Sequence, residues 1–190
     1  MAECVLFHHA HGLTPGVLAF ASELRAAGHV VHTPDLFEGQ IFADLTGGVA
    51  YAKQVGFDTI SERGRIAAEK LPDEIVYAGF SLGVLPAQML AQTRPGAKGA
   101  LLLHACFPPS EFAPGWPDVV PVQIHMMEGD PWIQEGDLDA ARQLAETVPA
   151  AELFLYPGDR HLFADPSLAD YEDAAATKLK QRVLRFLETV

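Results

Sequence analysis

Gly79-Phe80-Ser81-Leu82-Gly83 sets a serine between two flanking glycines in a G-x-S-x-G pattern. Where such a pattern joins a strand to a helix, the serine hydroxyl is presented on a sharp, crowded turn. The glycines keep side chains out of that turn. The backbone N–H of Leu82 would stand at a helix start, where it can stabilise an oxyanion. A serine hydroxyl needs a base, and the base needs a group that orients it. His161 and Asp130 suit these roles. Each follows a short apolar run (Glu152 to Tyr156 and Val122 to Met127), and the order Ser81, Asp130, His161 is the one expected downstream of such a turn. The chemistry implied is acyl transfer through an acyl-serine, which requires no metal and no organic cofactor.

Other residues compete. His104 and His125 fall inside apolar runs and read as packed or hydrogen-bonded core histidines. Asp159 and Asp165 flank His161 too closely to reach its far nitrogen, and Asp137 and Asp139 read as acids in a helix's first turn. His8-His9-Ala10-His11-Gly12 invites a metal reading, since imidazole is a common ligand of Zn²⁺ and Ni²⁺. No carboxylate follows in that run, however, and adjacent strand residues point to opposite faces. The segment is expected instead to supply the second oxyanion N–H, from Ala10.

These residues must be positioned by a scaffold, and the chain's periodicity supplies one. Apolar runs at Cys4 to His8, Val30 to Pro34, Ile75 to Gly79, Ala100 to Leu103, Val122 to Met127 and Glu152 to Tyr156 read as six buried strands. Between them lie amphipathic segments. Thr14-Pro15 reads as an N-cap with proline at the first helical position, and Gly28 as the stop of that helix. Phe42 to Leu71 reads as two helical pieces broken near Gly56, Leu82 to Gln92 as one helix, and Leu138 to Val148 and Leu179 to Val190 as two more. Strands alternating with helices predict an α/β fold, a doubly wound, mostly parallel sheet with helices on both faces. Residues 1–190 form one domain with no large lid. Pro108 to Pro121 holds five of the 14 prolines and reads as an irregular loop.

Composition narrows the partners. A formal net charge of -12 disfavours nucleic acid and anionic membrane surfaces. The two cysteines, Cys4 and Cys106, make no disulfide framework. No basic, apolar leader and no run of about 20 apolar residues is visible, so the cytoplasm is the expected compartment. Monomer and homodimer both stay open.

Taken together these segments resemble the dienelactone hydrolase family of α/β-hydrolases over nearly the whole chain. Pro34 to Gly39 is similar to the family's loop after the second strand, and Gly79 to Gly83 to its nucleophile elbow. His125 to Asp130 is similar to its acid-bearing strand end, and Arg160 to Ala164 to its histidine loop. The resemblance implies a Ser81–His161–Asp130 triad and a small ester or lactone as substrate. Three positions depart from the family: its founding enzymes use cysteine where this chain has Ser81, glutamate where it has His9, and a carboxylate-binding arginine where it has Asp165. Neutral esters are therefore expected to be preferred over a carboxylated dienelactone. Phe107, Phe112, Trp116, Trp132 and Phe163 fall in or beside the rim loops. Of these, Phe107, Trp132 and Phe163, with His9, are the expected substrate contacts. A non-catalytic ligand binder, a thioesterase or a peptidase on the same fold are the alternatives.

Overall fold

Runs of apolar residues without polar alternation become strands covered on both faces, as parallel sheets require. A computed structural model describes residues 1–190. β1 (Glu3–Phe7), β2 (Val30–His32), β3 (Val76–Phe80), β4 (Gly99–Leu103), β5 (Val122–Met127) and β6 (Ala151–Tyr156) make one six-stranded sheet in the order β2-β1-β3-β4-β5-β6. Every neighbouring pair is parallel. From β1 the chain steps outward to edge strand β2, then returns across β1 to β3. Strand order reverses at β1/β3, and open sheets of this kind bind ligands at the carboxyl ends of such a reversal.

Alternate residues of each strand feed two separate cores. Val5, Phe7, Tyr77, Leu102 and Ile124 pack under α2 (Leu45–Val55), α3 (Phe57–Glu69), α4 (Val84–Thr93) and α5 (Asp137–Thr147). Cys4, Leu6, Val76, Ala78 and Leu101 face the other way, under α1 (Pro15–Ala26) and α6 (Asp173–Thr189). The sheet is thus doubly wound, with no inserted lid.

Local signals account for most boundaries. The Thr14 hydroxyl caps α1 by accepting the Val17 N–H at 3.2 Å, with Pro15 at the first helical position. Gly56 separates α2 from α3 at φ +94°, a conformation glycine adopts freely. Several ends shift by a few residues from the sequence reading, and two helix starts differ in kind. The helix expected from Leu82 opens with a 3-10 turn, Ser81–Gly83, before α4 begins. The closing helix begins at Asp173, ahead of the apolar periodicity. Its first turn is built from Ala174 to Ala176, too small to register as a stripe, and is capped by the Glu172 carboxylate. No helix is long and apolar enough to cross a membrane.

Candidate active site

Ser81 follows β3 directly and sits at φ +48°, in the left-handed region where a side chain costs energy. The turn is closed too tightly for its flanking residues to carry a Cβ. One at Gly79 would lie 2.2 Å from the Gly83 carbonyl oxygen, and one at Gly83 would lie 2.4 Å from that of Phe7. The sequence can make this turn only with glycine at both places.

The Ser81 Oγ lies 2.7 Å from His161 Nε2, and His161 Nδ1 lies 2.6 Å from Asp130 Oδ2. Because a carboxylate accepts, Nδ1–H donates to it, leaving Nε2 to accept the serine proton. Asp130, after β5, is fully buried, and its other oxygen accepts the Trp132 N–H at 2.9 Å. Gln134 Nε2 ties the same turn through the Glu128 and Asp130 carbonyls. His161, in the loop after β6, is also buried, with Trp132 tilted beside its ring at 5.8 Å. The three side chains come from the carboxyl ends of β3, β5 and β6, and the sheet brings them together.

The loop after β1 lies beside this turn because Phe7 pairs with Gly79. Each of its histidines is fastened to a different partner. His8 Nε2 accepts the Leu36 N–H at 2.9 Å, while its Nδ1 faces the His9 carbonyl at 2.8 Å. His9 Nδ1 accepts the His11 N–H at 3.3 Å, so its Nε2–H donates to Asp165 Oδ2 at 2.7 Å. His11 Nδ1 reaches the Phe42 carbonyl at 2.9 Å. The rings diverge instead of converging on a metal. Between them Ala10 is buried, its N–H donates to no protein acceptor, and its carbonyl is packed against α2. A Cβ at Gly48 would stand 1.8 Å from that oxygen.

Asp165 corrects one expectation. Its charge does not face the site. The side chain is 1% exposed. Thr14 and His9 donate to Oδ2, at 2.6 and 2.7 Å, and the Ser167 hydroxyl and N–H to Oδ1, at 2.6 and 2.7 Å. Burial raises the pKa of this carboxyl, but the donors outweigh it and hold the group down at about 2. Any discrimination against anionic substrates must therefore come from elsewhere.

Two of the expected substrate contacts lie beneath the protein surface. His9 is fully buried with both ring nitrogens engaged, and Phe163 is fully buried against His104 and Tyr156. Neither offers surface to a ligand. Trp116 is buried too, donating to the Val120 carbonyl. Phe107 and Phe112 remain partly exposed, with ring centroids 6.0 Å apart, and Trp132 is 47% exposed. His125 is a hydrogen-bonded core residue, 2.9 Å from the Tyr156 hydroxyl. His104, just past β4 at φ +69°, is packed without a partner for either ring nitrogen, and burial pushes its pKa well down.

Sequence reasoning missed the residues that hold the Phe107 loop. The buried Gln88 side chain makes a two-pronged bond to the Phe107 backbone, donating to its carbonyl at 2.7 Å and accepting its N–H at 3.0 Å. Gln92 donates to the Pro109 and Gly115 carbonyls, and Asp137 accepts the Cys106 N–H. The signal was present: two glutamines four apart on an otherwise apolar helix.

A serine on a strand–turn–helix elbow, a histidine and an aspartate from later strand ends, and one doubly wound sheet define an α/β-hydrolase with a serine-hydrolase triad. The chain belongs to the dienelactone hydrolase family, whose sequence model matches residues 2–190. A structure described as a putative dienelactone hydrolase from Klebsiella pneumoniae superimposes with a TM-score of 0.76 at 18% identity, covering 100% of this chain and 88% of that one. A dienelactone hydrolase-like promiscuous phosphotriesterase from metagenomic libraries superimposes with a TM-score of 0.71 at 16% identity, covering 100% and 86%. A pimeloyl-[acyl-carrier protein] methyl ester esterase of Salmonella heidelberg is 35% identical over 80 residues, which span 41% of this chain and 30% of that enzyme.

Proposed function

We propose that the protein hydrolyses small esters or lactones through an acyl-serine intermediate. The observation that carries this is the unbroken relay from Ser81 Oγ to His161 to Asp130, at 2.7 and 2.6 Å. His161 Nε2 takes the hydroxyl proton as Ser81 Oγ bonds to the carbonyl carbon. The oxyanion so formed is held by the N–H groups of Leu82 and Ala10. The tetrahedral species collapses, the C–O bond to the alcohol breaks, and the imidazolium gives the alcohol its proton. Water then attacks the acyl-serine, with His161 again acting as base. Asp130 keeps the imidazole in the required tautomer and stabilises its charged form. Trp132 and Phe107 flank the reacting ester. The methyl ester esterase relative supports an ester substrate over a peptide.

Fluorophosphonate labelling with peptide mapping tests this together with a panel of p-nitrophenyl esters and lactones. Labelling confined to Ser81, with turnover abolished by Ser81→Ala, is the expected result. Folded protein that takes no label and turns over no ester is a ligand binder, and the proposal fails.

A further inference from the structure

A groove of about 570 Å³ opens one residue from the nucleophile. Leu82, Leu85 and Met89 form one wall, Phe57 stands on α3, and Phe107 and Phe112 close the far side. Leu82, Leu85 and Met89 succeed each other at spacings of three and four, so their partly exposed side chains make one apolar stripe. The Phe107 side is held rigid from beneath by Gln88 and Gln92. The groove therefore exists before anything binds, and filling it costs little reorganisation.

Its rim is predominantly acidic. Asp58, Glu62 and Glu111 line the mouth, and Arg65 is the only basic residue in the lining. That guanidinium is already partly committed. Its Nε and Nη2 both donate to the Glu62 carboxylate at 2.7 Å, and Nη1 donates to Glu69. Two of its five N–H groups are left for a substrate carboxylate, and an incoming anion meets a rim whose net charge is acidic.

We propose that this groove is the subsite for an uncharged apolar arm of the ester, a medium-length alkyl chain or an aryl group, and that its acidic rim excludes carboxylated substrates. The proposal rests on the ester-hydrolase reading of Ser81. Eight carbons, at roughly the 30 Å³ share of a liquid water each, fill about 240 Å³, well within the space. The volume also falls in the range of ordinary small-ligand sites.

The experiment measures kcat/KM for p-nitrophenyl esters from acetate to octanoate and, in parallel, for alkyl acetates of rising length. Full burial would raise kcat/KM about fourfold per methylene. A groove open along one side should give about twofold, or roughly 60-fold from acetate to octanoate. A rise in the acyl series places the acyl chain in the groove, and a rise in the alkyl series places the alcohol there. Ser61→Trp, at a partly buried position of α3 that lines the groove, should cut the octanoate-to-acetate ratio about tenfold. Glu62→Gln combined with Glu69→Gln frees Arg65 on an exposed helix face. It should raise the preference for a hemisuccinate over a neutral ester of equal length about fivefold at low salt. Both length series flat, with acetate turnover and Ser81 labelling intact, overturn the groove assignment and leave the esterase reading standing. No labelling and no turnover of any ester overturn both.

Discussion

Asp165→Asn should destabilise the protein by about 3 kcal/mol at neutral pH, although the side chain is not part of the triad. Four donors converge on the carboxylate: the Thr14 hydroxyl and His9 Nε2–H on one oxygen, the Ser167 hydroxyl and N–H on the other. Behind them, Val17 N–H donates to Thr14 and Gly16 N–H to Ser167, so the start of α1 is also tied through these hydroxyls to this charge. Asparagine offers one acceptor and one donor where four donors point. The hydroxyls can rotate away, but either the His9 ring N–H or the Ser167 backbone N–H is then left facing an NH₂. Hydrogen bonds to a charged group are worth about 1.5–3 kcal/mol each, and about two are lost. An independent route gives a similar size. The carboxyl falls from a reference value of 3.8 to about 2, which corresponds to about 2 kcal/mol. Because the folded pKa lies below the unfolded one, this stabilisation is complete above the unfolded value and fades as the pH falls through the folded one. About half of it is left at pH 3. Urea unfolding of both proteins at pH 7 and pH 3, followed by circular dichroism, reads the difference. The gap between them should be about 3 kcal/mol at pH 7 and about 1 kcal/mol narrower at pH 3. A gap below about 1 kcal/mol at pH 7, or one that widens on acidification, refutes the clamp.

Three further outcomes follow from the same geometry. Ser81→Ala and Ser81→Gly should both lower kcat by about 10⁶-fold. Only the glycine variant should also gain stability, by about 1 kcal/mol, because φ +48° strains any residue with a Cβ; equal melting temperatures would contradict that strain. His125 is held neutral by burial down to about pH 3, well below its reference value of 6.5, so unfolding takes up a proton between these limits and stability falls with acid. Between pH 4.5 and 5.5 His125→Gln should remove about 1.4 kcal/mol per pH unit from the slope of stability against pH while Ser81 still labels. Loss of labelling would assign His125 a part in the chemistry. Gly83→Ala should cost more than about 4 kcal/mol, since the new Cβ lies 2.4 Å from a backbone oxygen that cannot retreat; a soluble, fully labelled variant would show that the elbow is looser than this.

The triad could be read from the chain because each member is announced locally. Ser81 has its glycines, and Asp130 and His161 each follow an apolar strand. Strand and helix positions were legible for the same reason: periodicity, Thr14-Pro15 and Gly56 are all short-range signals. What stayed hidden was set by partners distant in sequence. Nothing near Asp165 reveals that it meets His9, 156 positions away, and so turns its charge inward. Phe163 sits two residues from His161, yet its ring packs in the core beside His104. Gln88 carries no local sign of its partner, because its two bonds to Phe107 depend on a loop 19 positions on. The apolar start of α6 was missed because alanines bury without marking a stripe.

β1 pairs with both β2 and β3, so the three strands that frame the Ser81 turn all lie ahead of that serine in the chain. The serine and its turn therefore belong to the amino-terminal half of the sheet, which α1 to α4 cover. Asp130 and His161 come from the carboxyl-terminal half, after β5 and β6, and the Asp165 clamp ties that half back onto α1. A chain cut short before Asp130 would thus keep the serine on its turn and lack both partners of the relay.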